Sequence, residues 1–349
     1  MKRKAKSLQL VEISKLQLIL RGVLGAISCL MFCLTAIVTA QDCQSSSDLD
    51  DATRATLTAA GQRYFGMAAK GDIASLRQNA IASLASDFSG IETTVKDHQQ
   101  DFAGAQATVK SIFLLEAEGT APLPHAEFYC GVFGKSGQTA GSAVFTLNNL
   151  PPGKYAVVLL DVASAKSKTS FSLVLQQTGN DWKLGGLYIK PAQIAGHDSE
   201  WFASRAREYK SKGQLHNAWF FYLQARSLMA PVSFMSTQAT DKLYDESQGM
   251  QPSDVPANGK TTDLVAAGAT YKLTALFPEA VGDELDLVAR YQVADASNSN
   301  QAYQSNVAVI KALVAKYPEI KDAFAAVVAR AVDASGRDYG TLLAMKDIK

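Results

Sequence analysis

Apolar residues first recur at helical spacing in residues 52–69, where Ala55, Leu57, Ala59, Ala60, Tyr64, Phe65 and Met67 form one stripe. Lys70-Gly71-Asp72 ends that helix, and Asp72 is placed to N-cap a second one running to Leu84. A third, more polar helix is predicted near residues 91–102. The period then shortens to two. Residues 107–116, 126–133, 141–147, 154–163, 169–177 and 182–189 are rich in Val, Leu, Phe and Tyr, and read as strands. Pro151-Pro152-Gly153 and Thr178-Gly179-Asn180-Asp181 punctuate them. Phe171, Leu173 and Leu175 alternate with Ser170, Ser172 and Val174, as in a half-buried antiparallel strand. Helices followed by a run of strands predict an α+β fold rather than a parallel α/β sheet.

Beyond residue 193 the helical period returns. Residues 197–235 read as a helical hairpin, with Trp201, Trp219, Phe220 and Phe221 offering a face to a neighbour. Residues 236–262 hold Gly, Pro, Ser and Asn in place of apolar side chains, and are expected to be a linker. Residues 263–349 read strand, strand, helix, helix, strand. The strands are expected at 270–277 and 285–293, in a hairpin around residues 278–283. Val307, Ile310, Leu313 and Val314 mark one helix. Ile320, Phe324, Val327, Val328 and Ala331 mark the next, and residues 341–348 return as a closing strand. The expected organisation is therefore a leader (1–40), a short N-terminal linker (41–52), an α+β domain with a curved antiparallel sheet (53–193), the hairpin, the linker and a small α+β domain.

The leader carries the clearest functional statement. Residues 22–40 run for 19 positions without a charge, after Lys2, Arg3, Lys4, Lys6, Lys15 and Arg21. A basic start, an apolar middle and a small-residue exit make a secretory signal. Val38-Thr39-Ala40 predicts cleavage between Ala40 and Gln41. The run is longer than the roughly 7–15 residues usual in a signal and approaches the roughly 20 that span a bilayer. An uncleaved single-pass anchor with a cytoplasmic N-terminus is the alternative. Cys29 and Cys33 lack the flanks of a lipoprotein signal. Residues 1–40 hold six Lys/Arg and one Glu, a net of +5; the whole chain is +1, so residues 41–349 carry −4. No basic cluster remains there to neutralise a row of phosphates, which argues against nucleic acid as a partner.

Two stretches resemble the nuclear-transport-factor-two-like superfamily, especially its small secreted bacterial members. They are Tyr64-Phe65-Gly66-Met67-Ala68-Ala69-Lys70-Gly71-Asp72 and Thr178-Gly179-Asn180-Asp181-Trp182-Lys183-Leu184-Gly185-Gly186-Leu187. The likeness covers roughly residues 53–193. It implies a sheet wrapped around helices as a cone with an apolar pocket, a fold that hosts enzymes, binding proteins and inert modules. In residues 200–231, Phe202, Ala206, Tyr209, Gly213, Ala218, Tyr222 and Ala225 resemble one tetratricopeptide-like helix pair, with Arg205 where a Leu is expected.

Candidate chemistry is sparse. Asp161 is embedded in Val157-Val158-Leu159-Leu160-Asp161-Val162. Desolvated inside the cone it would be a base with a raised pKa; on the opposite alternation it faces solvent beside Ser164 and Lys166. His125 follows Pro122-Leu123-Pro124 in a loop, and a dyad with Asp161 is the catalytic version of the pocket. Tyr64, Phe65, Tyr129, Phe133, Phe171 and Trp182 read as core, and Asp283, Glu284 and Asp286 as solvated turn acids. Cys43 and Cys130 either form one disulfide or are a free tail cysteine and a buried apolar residue. The four histidines lack metal-ligand spacing, and no phosphate loop, nucleophile elbow or zinc-protease motif occurs, so no cofactor or metal is expected. The expectation is a periplasmic or secreted, non-enzymatic binding or assembly module for another protein or a small apolar ligand. The alternatives are an envelope enzyme built around Asp161 and a scaffold anchored by residues 22–40.

Overall fold

The computed structural model describes residues 41–348 except 136, 165, 166, 258 and 283; the expected leader, Ala40, Lys166 and Asp283 lie outside the described residues. The fold is α+β. Helix α1 (Asp51–Ala69) is started by Asp50, whose carboxylate accepts from the Thr53 N–H. Its stripe packs Leu57, Tyr64, Phe65 and Ala68 against a five-stranded antiparallel sheet. The sheet has the order β1 (Asp42–Ser45), β2 (Gln106–Ala117), β7 (Gly153–Ala163), β8 (Lys168–Thr178), β9 (Asp181–Pro191). At Gly61 helix and sheet nearly touch: a Cβ there would lie 2.9 Å from a methyl of Val158.

Residues 41–52 are not a linker. Gln41 donates to the Glu127 carbonyl, and β1 pairs with β2. Four residues are too few to show alternation, and their partner strand lies far along the chain. The expected second helix is split into α2 (Ile73–Gln78) and α3 (Ala82–Ser86). Between them, Asn79 and Ile81 exchange backbone hydrogen bonds of 2.9 Å with Leu184 of β9, which replace the helical ones. Helix α4 (Ser89–His98) follows.

The strands do not form one meander. β3 (Leu123–Cys130) and β6 (Ala143–Leu150) leave the first sheet and build a second with β12 (Met235–Thr237), in the order β12-β6-β3. The two-residue strands β4 (Phe133–Gly134) and β5 (Gly137–Gln138) lie between β3 and β6. The first sheet is thus covered on both faces. Ala156, Val158, Leu160 and Val162 of β7 pack toward the helices, while Tyr155, Val157 and Leu159 pack toward the second sheet. This is why β7 is continuously apolar instead of alternating. A disulfide between Cys43 and Cys130, with Cα atoms 4.9 Å apart, ties β1 of one sheet to β3 of the other.

A second core lies further along the chain. After the ladder of β10 (Gln193–Ile194) and β11 (His197–Asp198), helices α5 (Ser199–Ser211) and α6 (Leu215–Met229) form the expected hairpin. Residues 236–262, expected as a linker, contain the end of β12 and helix α7 (Gln238–Ser247), and they bury Leu243 and Val255. The last sheet has the order β13 (Thr262–Ala266), β14 (Ala269–Val281), β15 (Glu284–Gln292), β16 (Ala326–Val332), β17 (Asp338–Ala344). Phe202 and Phe221 of the hairpin share one cluster with Leu273, Leu287, Tyr291 and Val327 of this sheet. The hairpin and the last sheet therefore belong to one core, and the described residues from 41 to 348 form one compact unit.

Residues 320–331 correct the sequence reading. Only a 3-10 turn, Pro318–Asp322, precedes β16, which runs parallel to β15. Helix α8 (Ser299–Lys316) makes the crossover that parallel strands require. In β16, Val327, Ala329 and Ala331 are buried at period two, and a long-range ladder prevails over a helix-compatible local pattern. The expected turn near Pro278 is strand: Pro278 opposes Leu287 of β15, beyond the stretch of β14 that pairs with β13, so no ladder bond is lost on that side.

Asp286 is also corrected, being 2 % exposed rather than solvated. Its Oδ1 has no hydrogen-bond partner among the described residues. Burial raises its pKa, the charge of Glu284 adds to this, and the Ala326 backbone N–H opposes it. The fold therefore favours the neutral acid. Stability from this group is complete below its unfolded-state pKa, near 3.8, and is lost as pH rises through the folded-state value. Asp286→Asn is expected to be more stable than the parent at pH 7.5 and to lose that advantage near pH 3.5. Urea melts at both values test this, and an equal difference at both would refute the charged-state penalty.

Candidate functional site

Among the described residues, the helix-facing side of the first sheet is filled by aromatic rings and Asp161 is not on it. Phe65, Phe102 and Phe171 fill that interior edge to face, with ring centroids 5.5–5.9 Å apart. The Tyr64 hydroxyl donates to the carbonyls of Asn79 and Trp182 at 3.0 and 2.9 Å, and Trp182 is buried beside it. Strand alternation puts Leu160 and Val162 into this core and turns Leu159 and Asp161 to the other face.

On that other face lies a groove of about 600 Å³. Its floor is Phe113, Ala143 and Leu159, and Leu228, Met229 and Met235 form an apolar wall. Ser111, Ser170 and Thr237 add hydroxyls, and among the described residues the charged lining is Lys110, Asp161 and Lys242. Three elements bring these together. The ladder of β2 with β7 is regular up to Val109 opposite Leu160 and resumes at Ser111 opposite Leu159, so Lys110 is a bulge residue. The bulge carries Lys110 toward Asp161, whose Oδ1 lies 3.4 Å from the Lys110 ammonium; both side chains are more than half exposed. Opposite them stands α7. Thr237 caps it in a reciprocal box with Thr240, and Ala239 and Lys242, one turn apart, face the groove. Lys242 has no ion-pair or hydrogen-bond partner among the described residues. The chain leaving α6 is pinned by Lys190, whose ammonium donates to the Ala230 carbonyl at 2.8 Å. Burial lowers the Lys190 pKa there.

The Asp161–His125 dyad is not assembled. His125 is an exposed side chain of β3, where Nδ1 meets Asn148 at 3.0 Å and Nε2 meets Glu127 at 3.3 Å. Both bonds raise its pKa, that to Asn148 more. Tyr129 and Phe133, expected in the core, form an edge-to-face pair that leaves Tyr129 43 % exposed, its hydroxyl donating to Glu127 at 2.6 Å. Among the described residues no group of three or more His, Cys, Asp or Glu could hold a metal ion. The arrangement around Asp161 offers an ion pair at the rim of an apolar trough.

Asp161 was visible in the sequence as a lining residue, for another pocket. Lys110 and Lys242 were missed. The bulge did leave a trace: Ala107 and Val109 are followed by Ile112 and Leu114, a spacing of three that breaks the period of two. Nothing local marks Lys242, which joins the groove through the pairing of β12 with β6. Comparison with models of protein families, with curated proteins and with solved structures returned no match.

Proposed function

We propose that this is an exported, non-enzymatic binding or assembly protein that uses the groove beside Asp161 to hold a small ligand with an apolar body. The observation that carries the reading is the groove itself. Its volume lies within the roughly 300–1,000 Å³ typical of small-molecule sites, and an apolar floor with a few polar groups at the rim is their usual lining. The salt bridge to Lys110 supports a binding role for Asp161 over a catalytic one. The Cys43–Cys130 disulfide fits an oxidising compartment and so supports export. The basic and apolar pattern of residues 1–40 supports it from the sequence. Among the described residues no helix is long and apolar enough to cross a membrane, so an anchored form would depend on residues 22–40.

Nile red, a neutral dye that brightens in apolar surroundings, tests the groove. Residues 41–349 are expected to bind it, and Ala239→Trp, which fills the groove from an exposed helix position, is expected to abolish most of the signal without changing the melting temperature. Equal dye binding by both proteins would remove the groove from the function.

A further inference from the structure

We propose that the groove selects ligands carrying a single anionic head on a hydrocarbon body, with Lys242 and Lys110 receiving the head and Asp161 restraining affinity. This deepens the binding role proposed above and rests on it. The groove's charged lining among the described residues is two cations and one anion. Lys110 is engaged by Asp161 at a loose 3.4 Å, whereas Lys242 faces the same space from α7 without a counter-ion among the described residues. Among the described residues the rim therefore carries one uncompensated positive charge above an apolar trough. An amphipathic anion matches both: its chain covers Phe113, Leu159 and Met235, and its head neutralises Lys242 while Ser111 and Ser170 offer hydroxyl donors. A neutral molecule leaves the Lys242 charge unmatched. A cationic amphiphile meets two lysines against one carboxylate.

The role of Asp161 follows from its position. A bound anion and the Asp161 carboxylate share Lys110, so the carboxylate repels the head and competes for its cation. The bulge at Lys110 enforces the sharing, because it places the ammonium beside Asp161 instead of leaving it in the regular β2 ladder. Asp161 lies outside the helix-facing core and is more than half exposed, so removing its charge costs the fold little.

The experiment is displacement of Nile red from residues 41–349 by decanoate, decanol and decyltrimethylammonium at low salt. Decanoate is expected to compete best, and its advantage over decanol to shrink as salt is raised. Lys242→Gln should weaken decanoate about two- to fivefold, the scale of one solvent-exposed ion pair, and leave decanol unchanged. Asp161→Asn should tighten decanoate by a similar factor. Equal competition by all three amphiphiles, or decanoate binding indifferent to both substitutions, would overturn the anion selectivity while leaving the groove as a binding site. Absence of Nile red binding, or dye binding unaffected by Ala239→Trp, would overturn the underlying function as well. Tightest competition by the cation would reverse the assignment of the head-group site.

Discussion

Phe171→Ala is expected to lower the unfolding free energy by about 3–5 kcal/mol, the range for deleting a fully buried aromatic ring. Phe171 has no exposed surface. Its ring meets Phe65 of α1 at 5.5 Å and Phe102, beyond α4, at 5.9 Å, both edge to face. Such pairs contribute roughly 0.5–1.5 kcal/mol each beyond the area they bury. The three rings come from a helix, a loop and a strand, each held elsewhere, so the walls of the resulting cavity cannot close together. Urea denaturation should show a lower midpoint with an unchanged slope. A loss under about 1 kcal/mol would mean that the helices settle onto the sheet, and that the interior is softer than its packing implies.

Removing the disulfide is the second large effect. Cys43 and Cys130 are separated by 87 positions, a long loop to close in the unfolded chain. The double substitution Cys43→Ser with Cys130→Ser is expected to cost about 2–5 kcal/mol. Part of the effect is local. β1 is a four-residue edge strand, and the bridge is the covalent tie between it and the second sheet. Hydrogen exchange should therefore show the amides of residues 42–45 losing protection at denaturant concentrations that leave β7 and β8 protected. Thermal melts of the parent with and without reductant, beside the double variant, measure the total. Identical melts in all three would show that the bridge does not form or does not restrain the unfolded chain.

The elements that were legible are those whose pattern is long and self-consistent. The stripe on α1, the alternation of β8 and the apolar run of β7 each carry enough positions to distinguish a period of two from one of 3.6. The failures have a common cause. The end of the second helix was lost to backbone bonds with Leu184, residues 326–332 were drawn into a parallel ladder with β15, and β1 formed because β2 offered an edge. In each case a long-range hydrogen-bonding partner outweighed a weak local preference. Asp286 was misread for a related reason: a carboxylate in a turn-like stretch carries no local mark of the structure that buries it.

The sequence by itself determined the α+β class, the long helix α1, the hairpin of α5 and α6, helix α8 and most strands, because hydrophobic period and turn residues act over neighbouring positions. It also determined the signal-like character of residues 1–40, which is a matter of composition. Only the tertiary structure decided that the strands divide into two stacked sheets, that Cys43 meets Cys130, and that the hairpin shares its core with the last sheet. It alone turned Asp161 away from the aromatic interior and joined it with Lys110 and Lys242 around one groove. Those outcomes depend on which strand edges and apolar faces find each other across long separations, a choice made by burial and ladder bonding over the whole chain rather than by any local pattern.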